Sequence, residues 1–225
     1  MTSPRNQRTR VENTLPLARE GLPFVGIGLA LSLVALLFGS MLPAIVLFVL
    51  TLFTAWFFRD PERTPQGPPN AVYSPADGKV IKTATLVEAD NNPLGSPCVL
   101  VCIFMSLFNV HVNRMITDGV VSSIRYHAGR FLAANLDKAS EQNERNLVTL
   151  ETEDGKRLVV VQVAGLVARR IACWVEPGDR VQAGQRFGLI RFGSRLDVYL
   201  PEGTQMAVQT GDTVKAGQSV IALLR

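Results

Sequence analysis

The sequence contains few cysteines, and they form no recognisable cluster. Cys98, Cys102 and Cys173 are the only cysteines among 225 residues, which excludes a small scaffold held by several disulfides. Cys98 and Cys102 are four residues apart, but no second cysteine pair or histidine cluster completes a zinc site. The sequence therefore predicts three reduced thiols and no bound metal.

Charge is absent from one long stretch of the chain. Residues 21–58 contain no charged side chain, although the whole chain has 23 basic and 19 acidic residues. The apolar core of a secretory signal is shorter, at about 7 to 15 residues, and one continuous helix would exceed a bilayer core of about 30 Å. Gly39 lies at the middle and Pro43 follows, so two apolar helices over 21–38 and 41–58 are predicted.

Basic residues flank this apolar segment on both sides. The tail before it, residues 1–20, holds four arginines, and Arg59 and Arg63 follow directly after it. Positive charge is typical of the cytoplasmic side of membrane segments. We therefore expect a membrane hairpin with both flanks in the cytoplasm. A buried hydrophobic hairpin inside a soluble protein is the alternative.

After the hairpin the composition changes twice. Residues 59–70 contain four prolines, which is typical of a linker. From residue 71 onward, short runs of β-branched residues alternate with Gly, Asp and Asn, and this pattern predicts strands. Only 131–146 has the composition of a short helix. A mainly β (α+β) domain is therefore predicted over 71–225.

An eleven-residue motif occurs twice in this domain. Residues 175–185 and 208–218 match at seven positions, including the Gly and Asp that favour turns. The motif resembles the hammerhead turns of biotinyl and lipoyl carrier domains, and the resemblance implies a barrel-sandwich fold. Those carriers present a lysine between the two copies. No lysine lies there in this chain, where the intervening run 189–200 contains a Gly-Ser pair instead.

Three short motifs hold the side chains best suited to chemistry. Asp77 lies in a Pro-Ala-Asp-Gly turn, and His111 follows a strongly apolar run. Gly193 and Ser194 stand between two predicted strands. Ser194 does not fit the nucleophile elbow of hydrolases, because the positions two residues before and after it are not glycine. Each motif alone is typical of ordinary structure.

Taken together and in order, five motifs resemble the short form of the phosphatidylserine decarboxylase family. They are residues 57–63, 74–78, 111–114, 138–146 and 192–195. The resemblance covers the chain from about residue 55 to the C-terminus. It implies a pyruvoyl-dependent enzyme that converts phosphatidylserine to phosphatidylethanolamine and CO₂. An apolar hairpin before the domain is also what the short form carries.

The resemblance further implies that the chain cuts itself between Gly193 and Ser194. The products are residues 1–193 and 194–225, and Ser194 becomes a covalent pyruvoyl group. This group is the expected cofactor, because its carbonyl accepts electrons as pyridoxal phosphate does in other enzymes. Gly193 suits the cut, since glycine leaves its carbonyl open to attack.

The expected catalytic residues are Asp77, His111 and Ser194. A serine hydroxyl must lose its proton to attack a carbonyl, and a histidine oriented by a carboxylate is the usual base. Long forms of the family carry two histidines three residues apart, where this chain has His111 and Arg114. Whether Arg114 or His127 assists His111 stays open.

The same resemblance implies the partners and the location. A phospholipid substrate, the cell membrane with the domain on its cytoplasmic side, and a small chain that stays bound are expected, and a homo-oligomer is left open. The net charge of +4 and the lack of an aromatic-basic platform argue against nucleic acid. Two alternatives remain, namely a decarboxylase of another serine-headed lipid such as archaetidylserine and a non-enzymatic, membrane-anchored carrier-like module.

Overall fold

The computed structural model of this chain describes residues 11–130, 132, 142–165, 170–191 and 193–225. The chain divides into two compact units, one over Glu12–Glu62 and the other including Arg63–Arg225. Most of the helix predicted within 131–146, three of the four tail arginines and Phe192 lie outside the described residues.

The smaller unit is a helical hairpin, as predicted. Helix α1 spans Leu22–Leu37 and helix α2 spans Met41–Phe57, and the turn between them uses Gly39 in the left-handed region at φ 73°. Most large apolar side chains on both helices are exposed. By length and composition the 19-residue helical stretch Arg19–Leu37 is able to cross a membrane, and α2 is slightly shorter.

The two helices approach closely at small residues. A Cβ atom on Gly28 would lie 2.2 Å from Thr51 Oγ1, so only glycine permits the observed distance. Nearby, the Ser32 hydroxyl donates a hydrogen bond to the Ala44 carbonyl at 2.8 Å. Small residues at a helix interface are typical of helix pairs in membranes.

We expect Gly28→Val to weaken the hairpin, because the added side chain must push the helices apart. Overpacking of this kind costs about 1–3 kcal/mol. Gly26→Val is the matched control, since a Cβ at Gly26 meets nothing within 4 Å. The measurement is thermal unfolding of the helices in detergent by circular dichroism. Equal melting of the two variants would contradict the described packing.

The larger unit is built from short antiparallel strands. The strands are β1 Ala71–Tyr73, β2 Gly78–Val87, β3 Cys98–Met105, β4 Val112–Arg114, β5 Gly119–His127, β6 Arg145–Glu151, β7 Arg157–Ala164, β8 Ile171–Cys173, β9 Arg180–Val181, β10 Arg186–Ile190, β11 Ser194–Pro201, β12 Gln205–Met206, β13 Thr213–Val214 and β14 Val220–Leu223. The prediction of a mainly β domain is confirmed. The end of the predicted helix, Arg145 and Asn146, belongs to β6 instead.

Three sheets share the core of this unit. The largest has the order β13-β2-β3-β11-β7-β6-β5-β9, and two three-stranded sheets have the orders β1-β14-β12 and β4-β10-β8. Strand β11 therefore lies between β3 and β7 near the centre of the largest sheet. Its side chains alternate, and Leu196, Val198 and Leu200 are fully buried in the main core. This alternation puts Ser194 on the core face as well.

The repeated motif forms two equivalent turns. Gly178 and Gly211 both have positive φ, at 94° and 105°. In each copy the Asp one residue further on accepts a hydrogen bond from a backbone N–H three residues before it, at 2.8 Å for Asp179 and 2.9 Å for Asp212. The two short strands that follow, β9 and β13, pair with β5 and β2. The hammerhead-like arrangement is confirmed.

The segment 59–70 contains no helix and no named strand. From Arg63 onward the segment nevertheless packs on the other residues of the β unit. The Arg63 side chain is 7% exposed, and Pro65 lies so close to Gly184 that a Cβ there would be 2.6 Å from Pro65 Cγ. Sequence composition alone did not predict these contacts.

Candidate active site

Two of the three predicted catalytic residues, Ser194 and Asp77, lie at one end of the largest sheet. Ser194 begins β11 and pairs in register with Met105, the last residue of β3. Asp77 directly precedes β2, the other neighbour of β3. Neighbouring strands lie about 4.8 Å apart, so the backbones at Asp77 and Ser194, on either side of β3, are separated by roughly 10 Å. His111 ends the connection from β3 to β4, and two residues further on Asn113 Nδ2 lies 3.8 Å from the sulfur of Met105.

Ser194 is the most enclosed of the three. Its residue is 0% exposed, and its Oγ has no hydrogen-bond partner among the described residues. A buried hydroxyl without a partner is unfavourable, and such groups are rare in folded proteins. An unbonded hydroxyl at the start of a central strand is therefore a candidate nucleophile rather than a structural group.

Gly193, the residue before Ser194, has an unusual backbone conformation. Its φ is 69°, in the left-handed region where residues with a side chain are strained. A Cβ at this position would meet nothing within 4 Å, so space does not demand glycine. The left-handed backbone conformation is what favours glycine at this position.

Gly193→Ala is expected to slow any cut at this bond about tenfold, because the left-handed region costs a non-glycine residue about 1–2 kcal/mol. Gly95→Ala is the matched control, since Gly95 also has φ 69° and open space around its Cβ position. The measurement is the rate at which freshly translated chain is converted into two pieces. Equal rates for the two variants would show that the Gly193 conformation does not matter.

His111 is buried and its ring orientation is fixed. It is 1% exposed, and Nδ1 lies 2.9 Å from the carbonyl oxygen of Asn109. A carbonyl only accepts hydrogen bonds, so Nδ1 must carry the proton in the neutral ring. Nε2 is then the basic nitrogen, as a general base requires. His127, in contrast, is exposed at the end of β5.

The Asp77 carboxylate is directed to partners other than His111. Its Oδ2 accepts a hydrogen bond from Arg63 Nη2 at 2.8 Å, and Arg63 Nη1 contacts Oδ1. Oδ1 also accepts from the backbone N–H of Ala216 at 2.8 Å. Among the described residues, Asp77 forms no hydrogen bond with His111 or Ser194. Within the part of the chain that the structure describes, the three predicted catalytic residues therefore do not form a hydrogen-bonded triad.

Part of the Asp77 arrangement belongs to the repeated turn. Asp118 is its counterpart before β5, and its Oδ1 accepts from the Ala183 backbone N–H at 2.7 Å. Ala183 and Ala216 occupy the same position in the two copies of the motif. Asp118 is exposed. The buried ion pair with Arg63 is therefore what distinguishes Asp77 from its counterpart.

Arg114 contacts the repeated turns. Its Nη1 donates a hydrogen bond to the Gly184 carbonyl at 2.8 Å, and a Cβ at Gly217 would lie 3.0 Å from Arg114 Cδ. Gly184 and Gly217 are equivalent positions of the repeat. These contacts give Arg114 a structural role between the two turns.

Sequence reasoning missed a chain of buried amides beside the site. Asn146 Nδ2 donates to Gln162 Oε1 at 3.0 Å, and Gln162 Nε2 donates to Asn113 Oδ1 at 2.8 Å. Asn113 Nδ2 in turn donates to the His111 carbonyl at 3.3 Å. The chain runs from β6 through β7 to β4 and supports the His111 backbone. The signal was Gln162, the single polar residue in the apolar run 158–164.

Asn143 supports the strand next to Ser194. It is fully buried, and its Nδ2 donates to the carbonyl oxygens of Ala164 and Leu132 at 2.7 and 2.8 Å. Ala164 is the register partner of Ser194 on β7. The Asn-Glu-Arg-Asn run at 143–146 thus contributes two buried amides around the Ser194 end of the sheet.

Fold and site together define a β-rich domain with an enclosed serine after a glycine in the left-handed conformation, and the domain follows an apolar helical hairpin in the chain. The sequence profile described as phosphatidylserine decarboxylase matches residues 50–222. The chain belongs to the phosphatidylserine decarboxylase family.

Curated relatives match along nearly their whole length. A protein of Syntrophus aciditrophicus is 51% identical over 207 residues, covering 90% of this chain and 95% of that one. Proteins of Aromatoleum aromaticum and Geotalea uraniireducens are 50% and 46% identical, covering 92% and 96% of this chain and 95% and 99% of their own. All three are named phosphatidylserine decarboxylase proenzyme.

Proposed function

We propose that this chain is a proenzyme that cuts itself between Gly193 and Ser194 and then decarboxylates phosphatidylserine to phosphatidylethanolamine and CO₂. Family membership and the printed name of the relatives support the activity. The observation that carries the site is the buried, unbonded Ser194 hydroxyl at the start of β11. Ser194 directly follows Gly193, whose backbone is left-handed at φ 69°.

In the proposed cut, Ser194 Oγ bonds to the carbonyl carbon of Gly193 and the peptide C–N bond breaks. His111 Nε2 takes the hydroxyl proton, which ends on the new amino group of Ser194. Elimination then removes the proton on the Ser194 Cα and breaks the Cβ–O bond, which releases the Gly193 carboxylate and leaves dehydroalanine. This tautomerises to an imine, and water hydrolyses the imine to the pyruvoyl group and ammonia. The burial of Ser194 suits this order of steps, because water is kept from the ester until the elimination has occurred.

The residues present fit a pyruvoyl group at position 194. When present, this group supplies a carbonyl that accepts the electron pair left by CO₂. Residues 194–225 would remain bound without a covalent link, because β11 is held between β3 and β7. Strands β13 and β14 add pairing with β2 and β1.

The observed contacts of Asp77 decide the role that we propose for it. With both oxygens bonded, it holds Ala216 of the C-terminal segment rather than orienting the His111 ring. The Asn109 carbonyl takes the orienting role at Nδ1. Asp77 therefore acts as a positioning residue at the sheet end, and Asp118→Asn is the natural control for Asp77→Asn.

Membrane attachment with both flanks in the cytoplasm is also part of the proposal. Exposed apolar side chains on both helices support insertion, and the basic flanks support the orientation. A lipid substrate stays in the bilayer, so attachment keeps the enzyme near it.

Cysteine labelling tests this topology, with single cysteines placed by Ser3→Cys and Arg225→Cys. Background labelling should be low, because burial raises the pKa of Cys98 to about 11 and also raises that of Cys102 and Cys173. Both new thiols are expected to react only from the cytoplasmic side. Reaction of the two ends from opposite sides would contradict the hairpin.

A direct assay tests the activity. Purified protein in detergent micelles is expected to convert phosphatidylserine to phosphatidylethanolamine. Lipid chromatography and the release of CO₂ measure this conversion. Cut protein that leaves phosphatidylserine unchanged would contradict the proposed substrate while leaving the proposed cut intact.

A further inference from the structure

Two large apolar side chains lie exposed next to each other in the turn between β3 and β4. Leu107 is 42% exposed and Phe108 is 68% exposed. Elsewhere among the described residues of the β unit, the exposed large apolar side chains are Leu86, Val120 and Tyr126, and none of these neighbours another in sequence. Single exposed apolar residues are ordinary, whereas adjacent ones point to an interaction surface. Leu107 and Phe108 together form the apolar tip of this turn.

The turn that carries the apolar tip is held in one conformation by its own polar side chains. Asn109 Oδ1 accepts hydrogen bonds from the Ser106 N–H at 2.9 Å and from the Ser106 hydroxyl at 2.8 Å. The Asn109 N–H in turn donates to the Ser106 carbonyl at 3.1 Å. Serine and asparagine commonly stabilise tight turns in this way. The exposure of the apolar tip is therefore built into the turn.

The turn begins at the Ser194 end of the largest sheet. Ser194 pairs in register with Met105, and Ser106 is the next residue along the chain. At the other end of the turn, the Asn109 carbonyl fixes the orientation of the His111 ring. The same four residues, 106–109, thus display apolar side chains and connect the strand beside the cut to the proposed base.

The chain enters the body of the β unit at this sheet end. Arg63 begins the segment 63–225 of the unit and pairs with Asp77, directly before β2. The uncharged stretch 21–58 ends only five residues before Arg63 along the chain. A second, weaker contact with the same bilayer gains from such a short link, because tethering raises its effective concentration.

Two exposed lysines also lie at this sheet end. Lys79 follows Asp77 by two residues, and Lys215 directly precedes Ala216, whose N–H donates to Asp77. The Asp77 carboxylate itself is paired with Arg63. Lysines near a bilayer attract anionic lipids such as phosphatidylserine. Aromatic and aliphatic side chains beside lysines are typical of segments that lie in the membrane interface.

We propose that the apolar tip inserts into the surface of the bilayer and forms a second membrane contact in addition to the helical hairpin. This contact turns the Ser194 end of the sheet toward the lipid. It also braces the turn 106–109, which holds the His111 ring. The inference rests on the membrane attachment in the proposed function.

Fluorescence quenching tests the contact directly. Full-length Phe108→Cys, Leu86→Cys and Leu31→Cys chains are labelled with an environment-sensitive fluorophore and reconstituted into phosphatidylcholine–phosphatidylserine vesicles that contain nitroxide-labelled lipid. The probes at Phe108 and Leu31 are expected to be quenched, and the probe at Leu86 is not. Leu86 is the matched control, because it is 55% exposed and precedes Val87, which pairs with Cys98 at the opposite end of β3. Leu31 lies within α1 and reports insertion of the hairpin.

A kinetic comparison tests whether the contact serves the reaction. The quantity is the ratio of turnover on phosphatidylserine in vesicles to turnover on a dispersed short-chain phosphatidylserine. This ratio is expected to fall about tenfold in Phe108→Ser, because replacing a large apolar side chain by a small polar one weakens insertion by at least that factor. Leu86→Ser should keep the wild-type ratio. Effects on folding or on the His111 ring act on both substrates and cancel in the ratio.

Several results would overturn the second contact. One is a quenched Leu31 probe together with an unquenched Phe108 probe, which would leave only the hairpin in the bilayer. Equal quenching at Phe108 and Leu86, or an unchanged ratio in Phe108→Ser, would do so as well. A Phe108 probe that is already shielded in detergent, in a protein that is dimeric by light scattering, would assign the apolar tip to a second copy of the chain. An unquenched Leu31 probe would instead contradict the proposed membrane attachment, and with it this inference.

Discussion

Ser194→Ala is expected to give a single uncut chain of 225 residues without decarboxylase activity. The substitution removes only the attacking oxygen from a fully buried position. Since that oxygen has no hydrogen-bond partner among the described residues, its loss breaks no bond and the fold should remain stable. Denaturing gel electrophoresis of purified protein reports the cut, and the lipid assay reports the activity.

Two further substitutions test whether the cut requires a nucleophile at position 194. Ser194→Cys and Ser194→Thr keep a nucleophile and are expected to cut slowly, with threonine hindered because its extra methyl group enters a closed site. Ser122→Ala is the control, since the Ser122 hydroxyl lies on β5 and donates only a long bond of 3.4 Å to Thr149. It should cut like wild type. A Ser194→Ala protein that is cut or active would refute the mechanism.

His111→Ala is expected to block the cut or the turnover. Loss of a positioned general base typically lowers a rate about 10²- to 10⁴-fold. The structural reason is specific, because the Nδ1 bond to the Asn109 carbonyl leaves Nε2 as the basic nitrogen of a buried ring. The measurement is the time course of cutting, followed by turnover of whatever fraction is cut.

His127→Ala is the matched comparison for this prediction. His127 is exposed at the end of β5, so its loss should have a mild effect on both steps. A chain that fails to cut without His127 but cuts normally without His111 would show that the base is wrongly assigned. Thermal unfolding of both variants separates a lost base from a lost fold.

Much of the architecture was predictable because it depends on short-range patterns in the sequence. The uncharged run 21–58 and its central Gly39 predicted the hairpin, since apolar length and turn residues act locally. The repeated motif predicted two equivalent turns for the same reason, and Gly178 and Gly211 adopt the left-handed region in both. The sequence predicted Gly193 and Ser194 between two strands, and in the structure Ser194 begins the second of them, β11.

The contacts within the site were not predictable in the same way. In the sequence Arg63 was only one of the basic residues that follow the apolar segment, yet in the structure it is buried against Asp77. That pair joins residues 14 positions apart and includes Ala216, so no local pattern reveals it. The amide chain through Gln162 likewise depends on which strands become neighbours, and this is decided only when the sheet assembles.

Intact mass spectrometry of the purified wild-type protein tests the central claim most directly. The account predicts two masses, one for residues 1–193 and one for 194–225 lighter by one ammonia than a peptide that starts with serine. A preparation that decarboxylates phosphatidylserine and shows only the mass of the whole chain would contradict the account. So would an active preparation whose small chain still begins with an intact serine.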